Sequence, residues 1–182
     1  MARSARRSVP QPAVEPAPSP LAPRTWQGLV YRPCPAGAPE VRGLFHFAGA
    51  WAPAPTPGEL AWEAEALGRL VGGVLVERDR EYGFVHGPVV VEPPSDAEPL
   101  EVAAQLVAPL LEPGTDPSMA RAFARPQGLD RLWVRFGFVP LPLASLPSAF
   151  RGRPGTGLYV WRRPGTYAVA APDGGERRRR GR

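Results

Sequence analysis

The sequence contains no lysine, no isoleucine and no asparagine, and its 182 residues include a single cysteine, Cys34. One cysteine excludes an intramolecular disulfide framework and a Cys-rich zinc site, and it fits a reducing, cytosolic compartment. With only two histidines besides, the chain has too few ligands for a dedicated transition-metal site. No apolar run is long enough to span a bilayer, and no apolar segment follows the basic residues 1–7. The sequence therefore predicts neither a membrane span nor a secretory signal.

The charge is unevenly placed along the chain. Residues 1–23 carry three arginines and one glutamate, and residues 173–182 carry five arginines, one aspartate and one glutamate. These two segments together hold the whole formal net charge of +5. The missing residue types have AT-rich codons, so the abundant arginine is typical of a GC-rich bacterial genome and is weak evidence for nucleic-acid binding. We expect any nucleic-acid contact to come weakly through the tails and to fall steeply with salt.

Proline and periodicity divide the chain into a domain and two tails. Proline recurs every two to four residues between residues 8 and 23, so residues 1–24 are predicted to be an extended, disordered tail. The arginine-rich residues 166–182 are predicted to be a second flexible tail. Residues 25–165 show regular apolar patterning and are predicted to form a single mixed α/β domain.

Local patterns predict the elements of this domain. Alternating apolar residues or valine-rich runs predict strands at residues 29–32, 60–66, 70–77, 82–92, 119–124, 138–143 and 157–162. Pro33 and Pro35 are expected to stop the first strand. Helical spacing predicts helices at residues 40–48, from a capping box at Ser95–Glu98 to Leu111, and at 129–136, with Gly137 as the last helix's cap.

Three stretches and the order of these elements resemble the GNAT acetyltransferase superfamily. Residues 68–73, GRLVGG, resemble the family's turn into its third strand. Residues 91–93, VEP, resemble the end of its fourth strand, and residues 132–138, LWVRFGF, resemble its helix that ends in Gly-Phe. The resemblance covers most of residues 28–163. It implies a central mixed sheet flanked by helices, with the strand ending near Val91 splayed from the strand near Phe123.

The resemblance also implies an acyl-CoA-dependent N-acyltransferase. It implies acetyl-CoA or another acyl-CoA as cofactor and a small-molecule or peptide amine as acceptor. A splayed strand edge can pair with the pantetheine arm, and the following helix start can bind the diphosphate. The residues that the resemblance assigns to cofactor binding are Val89, Val90, Val91, Ser95, Ala97 and Leu100.

Two residues are candidate general bases. His86 lies in the third valine-rich strand near the family's usual base, and an imidazole of ordinary pKa can deprotonate an amine or an ordered water. The alternative for His86 is a structural histidine at a bulge beside Gly87-Pro88. Glu92 is the second candidate, with a solvated strand-end carboxylate as its alternative.

A second hypothesis for the function is a GNAT-like binding or scaffold protein without catalysis. The loop before the predicted cofactor helix has neither glycine nor arginine and carries Asp96 and Glu98. Trp133 stands where the resembled family often has a tyrosine acid. Proline-rich and arginine-rich tails can recruit partners without folding, which suits such a protein.

Overall fold

The computed structural model describes residues 21–56, 59–91 and 96–165. The elements in these ranges are, in chain order, β1 (Arg24–Trp26), β2 (Leu29–Pro35), α1 (Pro39–Phe47), β3 (Leu60–Ala66), β4 (Arg69–Asp79), β5 (Tyr82–Val90), α2 (Pro99–Leu111), β6 (Arg121–Ala124), α3 (Asp130–Arg135), β7 (Val139–Pro140) and β8 (Tyr159–Arg162). Two short 3-10 helices, Leu143–Ser145 and Ser148–Phe150, lie between β7 and β8. The predicted tails fall almost entirely on residues 1–20 and 166–182, outside the described residues.

The described strands form one mixed sheet in the order β1-β2-β3-β4-β5-β6-β8-β7. Neighbours are antiparallel except for β5 and β6, which run parallel. Helices flank this sheet, so the predicted fold class is confirmed. No helix among the described residues is long and apolar enough to cross a membrane.

Strands β5 and β6 diverge half-way along β5. Their pairing begins at Tyr82↔Arg121 and ends at Val85↔Ala124, where β6 stops. Strand β5 continues to Val90, and among the described strands it is paired there with β4 alone. The second half of β5 therefore has an unpaired backbone edge, as the predicted splay requires.

Two consecutive glycines in β4 let helices pack on both faces of the sheet. A Cβ on Gly72 would lie 2.9 Å from Leu106 Cδ1 of α2, and a Cβ on Gly73 would lie 3.1 Å from Val41 Cγ1 of α1. Successive strand residues face opposite sides, so each glycine opens one face. The two helices thereby cover β4, the strand next to the unpaired edge of β5.

The prediction that β2 stops before Pro33 is wrong, because the strand continues to Pro35. Both prolines lie inside β2, which pairs with β3 from Val30 to Pro35. On the other side β1 pairs only with residues Leu29 to Tyr31, so beyond that point β2 is an edge strand of the sheet that the described residues form. Alternate residues direct their N–H groups to the same side, and two prolines therefore remove donors only from the open edge.

The predicted capping box before α2 is also wrong. The helix begins at Pro99, and its N-cap residue is Glu98, which makes no side-chain capping bond. Ser95 lies outside the described residues. Proline suits the first helical position because the N–H it lacks has no partner there in any helix.

The predicted strand at 138–143 shortens to Val139–Pro140. Pro140 and Pro142 cannot donate to a ladder, so regular pairing with β8 cannot extend. One further bond, from the Leu141 N–H to the Leu158 carbonyl at 2.8 Å, continues the contact.

Candidate functional site

A cleft of about 470 Å³ opens where β5 and β6 diverge. The cleft is lined by Val89 and Val90 of β5, by Leu100 of α2, and by Gln127 and Leu129, which precede α3. Three residues predicted to bind the cofactor thus border the same cleft. The wall is mostly apolar, and the unpaired edge of β5 runs along it.

The start of α2 lies at this cleft and carries mixed charge. Pro99 has no N–H, and the N–H groups of Glu101 and Val102 bond to the Glu98 carbonyl at 2.9 and 3.1 Å. The Leu100 N–H is the remaining described donor of this first turn. Arg135 of α3 donates to Glu101 Oε1 at 2.6 Å, which brings a positive charge to the helix start.

His86 is buried on the sheet face that α1 also covers, and only 5% of it is exposed. Its Nε2 lies 3.0 Å from Oε2 of Glu77. The register explains this contact, because Leu75 pairs with His86 and Glu77 pairs with Phe84, so the alternating side chains share one face. The rings of Phe84 and His86 pack with their centroids 4.8 Å apart.

Glu77 also binds Arg153, which comes from the loop between the second 3-10 helix and β8. The guanidinium donates Nε to Oε2 at 2.8 Å and Nη2 to Oε1. Burial alone would raise the pKa of Glu77, but hydrogen bonds from Arg153 and His86 outweigh it and lower the pKa below its ordinary value. Glu77 is therefore an ionised carboxylate that accepts from both partners.

Burial lowers the pKa of His86 to about 4, with a smaller lowering by the charge of Arg153 and an opposing contribution from Glu77. The ring is neutral at neutral pH. Since the Glu77 carboxylate can only accept, the ring proton lies on Nε2, and Nδ1 carries the lone pair. This arrangement fixes the tautomer that a general base needs.

Trp51 completes this group of side chains at its mouth. Its ring centroid lies 5.0 Å from that of His86, and the Arg153 guanidinium lies 5.2 Å from the Trp51 ring centroid. We call Trp51, Glu77, Phe84, His86 and Arg153 the His86 cluster. Ala50 and Pro88 both line the cleft, so the cluster and the cleft adjoin.

No family model and no curated protein matches this chain. Solved structures do match its fold. An N-acetylglutamate synthase from Neisseria gonorrhoeae, complexed with coenzyme A and N-acetyl-glutamate, superposes with a TM-score of 0.55 at 16% identity over 73% of this chain and 35% of that one. A GNAT family acetyltransferase from Staphylococcus aureus gives a TM-score of 0.55 at 12% identity, over 72% of this chain and 98% of that one. The chain has the GNAT fold.

A third match to the GNAT fold is the diaminobutyrate acetyltransferase from Paenibacillus lautus, in complex with L-2,4-diaminobutyric acid and coenzyme A. Its TM-score is 0.51 at 17% identity, over 76% of this chain and 96% of that one. The present chain spans about a third of the length of the N-acetylglutamate synthase. The resemblance predicted from the sequence is thereby confirmed at the level of the fold.

The remaining predicted site residues are Val91, Ala97, Glu92 and Ser95. The Val91 N–H is already bonded to the Val71 carbonyl at 2.9 Å. Ala97 is buried in the hydrophobic core, and only 5% of the residue is exposed. Glu92 and Ser95 lie outside the described residues, so their roles stay predictions.

Trp133 and Cys34, both singled out in the sequence, have structural environments. Trp133 is fully buried, and its Nε1 donates to the Pro126 carbonyl at 3.4 Å. Burial raises the pKa of the Cys34 thiol to about 12, which removes its nucleophilic thiolate at neutral pH. Neither residue belongs to the His86 cluster.

Glu77 and Arg153 were missed by the sequence reasoning. Glu77 had a usable signal, because a tight turn at Arg80-Glu81 sets the hairpin register and places Glu77 diagonally from His86. The sequence carries no such signal for Arg153, since this residue lies in an irregular Gly- and Pro-rich loop. The sequence favours a core position for Trp51, with the lining of an acceptor pocket as the alternative that the GNAT resemblance implies, and 41% of Trp51 is exposed.

Proposed function

We propose that this chain is an acyl-CoA-dependent N-acyltransferase that uses acetyl-CoA or another acyl-CoA. The observation that carries the proposal is a buried, neutral His86 whose tautomer is fixed by Glu77, beside the cleft at the unpaired edge of β5. The coenzyme A bound to the N-acetylglutamate synthase and to the diaminobutyrate acetyltransferase supports the cofactor class.

The residues around the cleft fit such a cofactor. Its volume and apolar wall suit an extended, mostly uncharged arm, and Val89 and Val90 lie on the strand edge that is free to pair. The Leu100 N–H and the Arg135 guanidinium can hold a diphosphate at the start of α2. Val91, Ser95 and Ala97 remain predicted contacts. The bound thioester supplies an activated acyl carbon to the acceptor amine.

The chain's own part in the reaction is proton transfer and orientation. As the neutral amine forms its C–N bond to the acyl carbon and the C–S bond breaks, His86 Nδ1 takes the amine proton, directly or through water. Glu77 accepts the Nε2 hydrogen bond and stabilises the imidazolium that forms. The proton then passes to the thiolate, which restores neutral His86. Glu92 stays a predicted second base.

The acceptor is an amine of either small-molecule or peptide type. The diaminobutyrate acetyltransferase was solved with an amino-acid substrate, which supports a small-molecule acceptor here.

The test of this function is thiol release from acetyl-CoA with a panel of amines, using matched histidine variants. We expect His86→Gln to lower kcat/KM by about 10² or more, since general-base catalysis contributes that much. His46→Gln is the control, because His46 is exposed on α1 and lies outside the cluster. Full turnover by folded His86→Gln would contradict the assignment of His86 as the base.

A further inference from the structure

Two groups in the His86 cluster are suited to bind a positive charge. The Glu77 carboxylate is ionised and mostly buried, with 14% of its side chain exposed. The indole of Trp51 contacts the His86 ring and the Arg153 guanidinium at the mouth of the cluster. A carboxylate and an aromatic face together bind ammonium and guanidinium groups, because one supplies charge and the other a negative ring face.

In the free protein this pair of groups already holds a cation, the side chain of Arg153. Its guanidinium makes two hydrogen bonds to the Glu77 carboxylate and lies 5.2 Å from the Trp51 ring centroid. One quarter of the Arg153 side chain is exposed. The contact therefore lies at the solvent side of the cluster, where a ligand arriving from solution can compete for it.

The backbone around Arg153 is anchored independently of this contact. Arg125 donates Nη2 to the Arg153 carbonyl at 3.2 Å and Nη1 to the Gly157 carbonyl. The Arg153 N–H bonds to the Phe150 carbonyl at 3.3 Å. Rotation of the Arg153 side chain alone can therefore vacate Glu77 and Trp51 while the loop keeps its place.

We propose that Glu77 and Trp51 form the cation site of the acceptor, and that Arg153 fills this site until the acceptor displaces it. The inference rests on the proposed function and names its substrate class. The acceptor carries a second positive group beside the amine that is acylated, as a short diamine or an amino-guanidine does.

The test is calorimetric titration of the full chain with 1,4-diaminobutane in the absence of acyl-CoA. Arg153→Gln is expected to bind the diamine at least about fivefold more tightly than the wild type, because no internal cation has to leave first. Arg151→Gln is the matched control, since Arg151 is exposed in the same loop, and it should bind as the wild type does. Glu77→Gln should lose at least about tenfold in affinity.

Arg153→Lys tests the same point with a smaller change. Lysine keeps the charge but not the two-pronged contact, so its affinity for the diamine should lie between those of the wild type and Arg153→Gln. Equal or weaker binding by both Arg153 variants would overturn the proposal, as would full affinity in Glu77→Gln. Because binding is measured without acyl-CoA, these outcomes do not depend on turnover, and failure of the enzyme function would appear only in the thiol-release assay.

Discussion

At the scale of single residues, the charge state of His86 depends on its surroundings. Burial disfavours the imidazolium, and Arg153 adds to this effect, while Glu77 opposes it. The folded pKa of about 4 lies below the ordinary value of about 6.5. Between these two pH values the unfolded chain binds a proton that the folded chain does not.

This difference predicts acid-sensitive stability. The contribution of His86 is fully present above about pH 6.5 and is lost as the pH falls toward 4, by roughly 3 kcal/mol in total. Chemical denaturation at pH 7.5 and pH 4 should therefore show a smaller loss of unfolding free energy for His86→Gln than for the wild type.

His46→Gln serves as the control in these denaturation experiments and should follow the wild type, because His46 is exposed. A loss that is the same in wild type and His86→Gln would mean that His86 is not held neutral by the fold.

The sequence could predict some of these residues and not others. His86 follows from its place in a valine-rich strand, and Val89 and Val90 follow from the strand end. Arg153 depends on how an irregular loop folds back over the sheet, a tertiary contact that local patterns do not encode.

At the scale of elements, a bulge in β5 separates the His86 cluster from the cleft. Gly73 pairs with Val89 and Leu75 pairs with His86, so β5 has one extra residue at Gly87-Pro88. The sequence predicts a bulge at this place, and the structure confirms it. The bulge separates the cluster residue His86 from the cleft residue Val89 and bends the strand between them.

Gly87 should tolerate substitution poorly. It has φ +87°, and a Cβ there would lie 2.9 Å from the Val89 backbone nitrogen and 3.0 Å from Phe45 Cζ. We expect Gly87→Ala to cost more than about 2 kcal/mol of unfolding free energy, from backbone strain together with the clash.

Gly28→Ala is the matched control for the strain alone, since Gly28 has φ +76° and open space around it. It should cost about 1 kcal/mol, measured by urea denaturation. Equal costs at the two positions would show that the contacts at the bulge are not close.

The strands and helices themselves were largely predictable, because apolar periodicity follows directly from burial on one face or both. The wrong predictions concern the residues at which strands and helices begin or end. Whether proline ends a strand depends on which edge is free, as at Pro33, and a helix start depends on backbone geometry that Ser95–Glu98 spacing does not determine.

At the scale of the whole molecule, the parallel pairing of β5 with a short β6 creates the cleft. The α2 start and the unpaired edge of β5 border this cleft, and the His86 cluster adjoins it. The resemblance to the GNAT superfamily predicted this splay. The positive charge at the start of α2 comes from Arg135 of α3, which the sequence of the loop before α2 could not show.

The most direct test of the account is calorimetric binding of acetyl-CoA to the chain and to a variant with a filled cleft. Ala48 lines the cleft, and Ala54 is exposed in the loop outside it. We predict that acetyl-CoA binds the wild type and Ala54→Trp alike, and that Ala48→Trp weakens binding at least about tenfold, or about 1.4 kcal/mol. No binding at millimolar acetyl-CoA, or equal binding by both variants, would contradict the account.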